Sequence, residues 1–96
     1  MFASVLEIQL KPGTLDEAVN IARAALPGMR EIPGLKQFIV IDKCNDQGLV
    51  IAIYESQAAQ EAAAPKAKEI IGRIAGLAVA APPQRMGCEV NINEQF

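Results

Sequence analysis

The chain reads as one α+β domain, a four-stranded antiparallel sheet with two helices packed on one of its faces. Three observations lead there. Four segments carry strand patterns, two segments between them carry the spacing of amphipathic helices, and 96 residues leave room for a single domain, residues 1–96, and no second one. With 51% hydrophobic and 21% charged residues, the composition is that of a folding chain rather than a disordered one.

Residues 2–10 place Leu6, Ile8 and Leu10 on one face and Val5, Glu7 and Gln9 on the other, the two-residue period of a strand. Lys11, Pro12 and Gly13 end it. Thr14 and Glu17 have the spacing of a capping box, in which the hydroxyl accepts from the third helical N–H and the carboxylate from the cap N–H. The helix that follows aligns Leu15, Ala18, Val19, Ala22, Leu26 and Met29 on one core-directed face, with Glu17, Asn20 and Ala24 opposite. Pro27 removes an internal hydrogen bond, yet Met29 and Ile32 continue the stripe, so the helix is expected to kink and run on towards Ile32.

Pro33 and Gly34 stop that helix, and residues 35–43 read as a second strand, with Phe38 and Val40 on one face and Ile39 and Ile41 on the other. A hairpin loop over residues 45–48, with Gly48 at positive φ, leads into a third strand over 49–55. Leu49, Ile51 and Ile53 oppose Val50, Ala52 and Tyr54 there, so both of its faces are apolar. Ser56 caps a short alanine-rich helix over 57–64, and Pro65 suits the first turn of a longer one reaching about residue 81. Ile70, Ile74, Leu77 and Ala81 share a face of that helix, Lys68, Gly72 and Gly76 are turned away, and Pro82 and Pro83 end it. Residues 84–92 alternate Met86, Cys88, Val90 and Ile92 against Arg85, Gly87, Glu89 and Asn91, a fourth strand.

The order β-α-β-β-α-β with right-handed crossovers gives the split-βαβ, ferredoxin-like arrangement: strand order 4-1-3-2 with both helices on one face. Two helices cover only that face. The second and third strands are apolar on both, and exposing several Ile and Val side chains at about 1.5 to 3 kcal/mol each leaves a patch too large for a monomer. The economical cover is a second copy packed sheet against sheet, so the expected partner is the chain itself, in a two-fold homodimer through the sheet face.

Charge and residue usage remove several function classes. Nine Lys and Arg against eleven Asp and Glu give a net charge of −2, and Lys36 and Lys43 sit close to Asp42 and Asp46 rather than in a basic cluster, so nucleic acid is not an expected partner. The uncharged stretch over residues 74–84 is short, holds a Gly and ends in two Pro, so no membrane span is expected. The first ten residues lack a basic region ahead of a long apolar run, so no secretory signal is read and the expected location is cytoplasmic. With two Cys and no His or Trp, no zinc site and no imidazole-dependent triad or dyad is expected.

The pattern resembles the antibiotic biosynthesis monooxygenase (ABM) family of small dimeric α+β barrel proteins. The residues that carry the resemblance are the strand ending Leu10, Lys11, Pro12, Gly13; the Ile32, Pro33, Gly34, Leu35 junction; the run from Ile51 to Ser56; and Pro82, Pro83 before a strand holding Glu89 and Val90. The resemblance implies a dimeric barrel and, for some members, a cofactor-independent oxygenase that turns phenols or quinols into quinones; other relatives degrade haem. Haem-degrading relatives use a histidine ligand, a tryptophan and a first-strand asparagine. This chain has no His or Trp and has Leu6 in the asparagine's place, which argues against haem chemistry.

Tyr54, the only tyrosine, either orients a small aromatic ligand with its hydroxyl or packs as a core ring whose O–H finds a carbonyl. Arg73 and Arg85 either stabilise a phenolate or enolate, because a guanidinium aimed at developing oxygen charge is a strong electrostatic catalyst, or are solvated surface cations. Glu89 is a base if it faces a dry cavity, and otherwise a polar group at a subunit interface. Cys44 and Cys88 fall on the two edge strands, roughly 14 Å apart at about 4.8 Å per strand step, beyond disulfide reach. Gly72 and Gly76 have a small-xxx-small spacing suited to close approach of another element.

Two functions fit. One is a monooxygenase acting, without a cofactor, on an aromatic or quinol-type molecule between sheet and helices, with Tyr54, Arg73 and Arg85 as its candidate residues; it calls for an apolar pocket of roughly 300 Å³ or more reaching Tyr54. The other is a non-catalytic dimeric module that binds a small apolar metabolite or serves assembly alone.

Overall fold

In the computed structural model, which describes residues 1–79 and 85–96, the elements run β1 (Phe2–Gln9), α1 (Leu15–Met29), β2 (Leu35–Asp42), β3 (Gln47–Tyr54), α2 (Gln57–Ala62), α3 (Ala64–Ala75) and β4 (Met86–Glu89). The strands form one antiparallel sheet ordered β2-β3-β1-β4, the 4-1-3-2 order that the connection rules give. Register sorts the side chains onto two faces. Ser4 opposes Ala52, Leu6 opposes Val50 and Ile8 opposes Gly48, so Leu6, Ile8, Val50, Ala52 and Tyr54 turn towards the helices. Val5, Leu49, Ile51 and Ile53 turn the other way.

The core lies under the helices. Ile8, Leu10, Ala18, Ala25, Met29, Ile70 and Ile74 form its main cluster, and Ala52, Tyr54 and Ala63 form a smaller one joined to it through Ile32, Leu35 and Phe38. Leu10 is the most deeply buried large side chain, at 1% exposure. Two backbone bonds bring the chain after α3 against it, Lys11 N–H donating to Leu77 O at 2.7 Å and Val79 N–H to Gln9 O at 2.9 Å, while Leu10 N–H donates to Asp46 O of the β2–β3 hairpin at 2.8 Å.

Several sequence expectations shift. The Thr14 side chain makes no cap bond; its hydroxyl donates back to the Lys11 carbonyl at 2.7 Å, closing the turn before α1 instead of capping it. Helix α1 passes through Pro27 and stops at Met29, with Ile32 in the turn beyond it. Its buried side is Ala18, Ala22, Ala25 and Met29, while Leu15, Val19 and Leu26 are only half-buried. The larger residues overhang the β2 edge, where Leu15, Val19 and Leu26 stand beside Phe38 and Val40. Helix α3 ends at Ala75 rather than near residue 81, because Leu77 and Val79 are recruited by the β1 end; Ala81, Pro82, Pro83 and Gln84 lie outside the described residues.

In the β2–β3 hairpin, positive φ falls on Cys44, Asn45 and Asp46, not on Gly48, which sits inside β3 against Ile8. The Asp42 carboxylate accepts from Cys44 N–H at 2.7 Å, the local bonding that lets a non-glycine turn hold, and the Asp46 carboxylate accepts from Gly13 N–H at 3.2 Å, tying the hairpin to the turn after β1. Gly72 and Gly76 face open space, since a Cβ at either meets nothing within 4 Å, so neither mediates close packing within this chain.

The second sheet face carries no helix. Ile39 and Ile41 are each 39% exposed and Met86 is 66% exposed, beside Val5, Leu49, Ile51 and Ile53, all only part-buried. Among the described residues no helix is long and apolar enough to cross a membrane.

Two positions should respond sharply to substitution. The Ser56 hydroxyl accepts from Ala59 N–H at 3.1 Å as the α2 cap, so Ser56→Ala is expected to cost about 1 kcal/mol in a urea melt. Gly34 has φ +79, and a Cβ there would lie 2.7 Å from the Ala59 methyl. Gly34→Ala is therefore expected to lower stability by about 2 kcal/mol or more, with Ala59→Gly recovering only the steric part.

Candidate functional site

The helix-facing row of β1 runs Phe2, Ser4, Leu6, Ile8, and Ser4 breaks its apolar run. Ser4 sits between Ala52 of β3 and Gly87 of β4 in register. The side chain that reaches it is Arg85, immediately before β4. Its Nε donates to Ser4 Oγ at 3.1 Å, and one terminal nitrogen donates to the Gln60 carbonyl at 2.9 Å and to the Tyr54 hydroxyl at 3.5 Å. The guanidinium carbon also stands 5.9 Å from the Tyr54 ring centre, within cation–π range. Gly87, opposite Ser4, leaves room for the Phe2 ring beside this cluster, since a Cβ there would come within 2.8 Å of it.

This cluster forms one end of a cavity of about 60 Å³ between sheet and helices. Leu6, Val50 and Phe38 of the sheet wall it on one side, and Met29, Ile70 and Ile74 of the helices on the other. Apart from Ser4, Tyr54 and Arg85 the lining is apolar. None of the four ion pairs among the described residues involves Arg85. Its charge therefore stands at a greasy cavity with neutral oxygens around it and no carboxylate to neutralise it. Such a cation stabilises negative charge on a bound oxygen more strongly than it would in water.

Of the residues singled out from sequence, Tyr54 and Arg85 meet here, and Tyr54 is buried at 3% exposure. Arg73 does not join them. It lies on the exposed flank of α3, beside the buried stripe of Ile70 and Ile74, where Glu69 one turn earlier holds its guanidinium at 2.7 Å. Glu89 opposes Phe2 at the exposed end of β4, on the helix-side face rather than the uncovered one, and does not line the cavity. Cys44 and Cys88 are both free thiols away from the cavity.

Two site residues went unread in the sequence. Ser4 left a trace, a hydroxyl at an inward position of an alternating strand. Gln60 left none, since it contributes only its backbone carbonyl and any residue type supplies one. The cavity reaches Tyr54, but at about 60 Å³ it is well below the roughly 300 Å³ that the oxygenase reading calls for. Helical side chains that fill the space account for the difference. Among the described residues no group of three or more His, Cys, Asp or Glu side chains converges on a common point.

No protein-family model matches the chain, and no curated protein matches it. Solved structures do. A monooxygenase from the gene ActVA-Orf6 of Streptomyces coelicolor, in complex with the ligand nanaomycin D, superposes with a TM-score of 0.78 at 20% identity, over 99% of this chain and 91% of that one. A MhuD mutant with two manganese protoporphyrin IX bound per active site gives 0.76 at 18% identity, over 100% of both chains. A structure described as an antibiotic biosynthesis monooxygenase gives 0.73 at 13% identity, over 94% and 98%. At these identities it is the backbone that is shared: this chain has the α+β fold of the antibiotic biosynthesis monooxygenase structures.

Proposed function

We propose that the chain is a small cytoplasmic homodimer that binds an aromatic or quinol-type molecule in the cavity and oxidises it with molecular oxygen, without a cofactor. The observation that supports this most is the uncompensated Arg85 guanidinium beside the Tyr54 hydroxyl, at the polar end of an otherwise apolar cavity. A phenol bound with its ring among the apolar side chains would put its oxygen there. Arg85 would favour the phenolate, raising electron density on the ring, and Tyr54 would hold the oxygen in place. The balance needs no other reductant: a phenol bearing hydrogen at the reacting carbon, plus O2, gives the quinone and water.

Dimerisation belongs to the same reading. Ile39, Ile41, Ile51, Ile53 and Met86 make an apolar face that no helix covers, and packing it against the same face of a second copy would remove its remaining exposed area from water.

A second reading, a non-catalytic dimeric module that binds a small apolar metabolite, is favoured by the volume. A cavity of about 60 Å³ takes a small group without rearrangement, but not a fused ring system.

Oxygen uptake with a panel of single-ring phenols and hydroquinones separates the two. Turnover is expected in the wild type, lowered about 100-fold by Arg85→Met and more modestly by Tyr54→Phe, with Arg73→Met unchanged. Saturable binding of the same compounds with no oxygen uptake would establish the non-catalytic reading. Sedimentation at micromolar concentration should give a dimer, and Ile51→Asp should give a folded monomer; a monomeric wild type would overturn the sheet-face interface.

A further inference from the structure

Beside the edge strand β2 lies a groove of about 370 Å³, formed by the overhanging flank of α1 and the helix-facing side chains of β2. Leu15, Val19 and Leu26 supply its apolar wall, Phe38 and Val40 its floor, and Arg23 stands in the middle of the helix side. It is distinct from the cavity at Arg85, yet Phe38 lines both. At the opposite edge of the sheet the residues after β4 project from the molecule, with Ile92 at 86% and Phe96 at 117% exposure.

We infer that residues 92–96 of one copy fill the groove between α1 and β2 of a second copy. The two sequences are complementary. Val90, Ile92, Glu94 and Phe96 alternate with Asn91, Asn93 and Gln95, so in an extended segment Ile92, Glu94 and Phe96 share a face. Val19, Arg23 and Leu26 share a flank of α1. An apolar–acidic–apolar row thus meets an apolar–basic–apolar one, over about 13 Å of strand and about 10 Å of helix. Neither Arg23 nor Glu94 takes part in any ion pair among the described residues. Asp42, at the far end of the groove, has a carboxylate oxygen that accepts from the Cys44 N–H.

The segment of the same chain does not reach. Val90 N–H donates to the Met1 carbonyl at 3.1 Å and the Asn93 amide lies 3.0 Å from the Met1 sulfur, which pins residues 90–93 at the β4 side. Three more residues span about 10 Å, whereas β2 lies three strand steps away, about 14 Å. The occupant is therefore a second copy. Because Phe38 is a wall of both spaces, the docked segment also backs the cavity of its partner.

The inference rests on the pairing of copies proposed above, and sedimentation equilibrium of full-length variants tests the two separately. Ile92→Asp combined with Phe96→Asp is expected to weaken self-association at least about tenfold, with an unchanged circular dichroism spectrum. Glu94→Arg and Arg23→Glu should each weaken it about threefold, and the double variant R23E/E94R should return to within twofold of wild type. A wild type that stays monomeric overturns the pairing itself. A dimer insensitive to I92D/F96D overturns the docked segment alone, and a weakened I92D/F96D dimer without rescue in R23E/E94R overturns the groove as its site.

Discussion

A sheet with two apolar faces and helices enough for one of them governs this molecule. β1 and β3 occupy the centre of the sheet, and their helix-facing row of Leu6, Ile8, Val50, Ala52 and Tyr54 lies under the three helices, with Ala59 and Ala63 of the α2 region over Ala52 and Tyr54. The opposite row of Val5, Leu49, Ile51 and Ile53 has no such cover. The four strands and three helices of the described residues place every helix on one face, and none lies over the other.

The same shortage of cover shows at α1. A helix whose buried side is mostly alanine covers little width. Ala18, Ala22, Ala25 and Met29 form that side, and Leu15, Val19 and Leu26 are left over the edge strand, only part-buried. β2 is the strand that loses cover by this, which is why Val40, on its helix-facing side, is still 38% exposed. Edge strands with exposed apolar rows tend to find a partner, so the groove and the open face are two consequences of one shortage.

At the other edge the position of Arg85 is set by backbone, not by attraction to an acid. β4 is only four residues long, and its antiparallel register with β1 sets Gly87 opposite Ser4, directing Arg85 onto Ser4, Gln60 and Tyr54. Neutral oxygens solvate the guanidinium while leaving its charge uncancelled, which distinguishes it from Arg73, whose charge is spent on Glu69 one helical turn away. Two arginines of equal promise in the sequence thus differ entirely in chemical use.

By itself the sequence determined the element order, the strand order, the two-faced patterning of β2 and β3 and the Ser56 cap, because each depends on local periodicity or on a single backbone requirement. It did not determine where α3 stops, since that turns on Leu77 and Val79 bonding to a strand some 70 residues earlier. Nor did it determine the hairpin's positive-φ residues, which the Asp42 side chain holds in place of a glycine. Only the tertiary structure decided which arginine faces the cavity, that Ser4 and the Gln60 carbonyl complete its shell, and how large that cavity is. Those are set by three-dimensional packing between elements distant in the chain, and no spacing along one element encodes them.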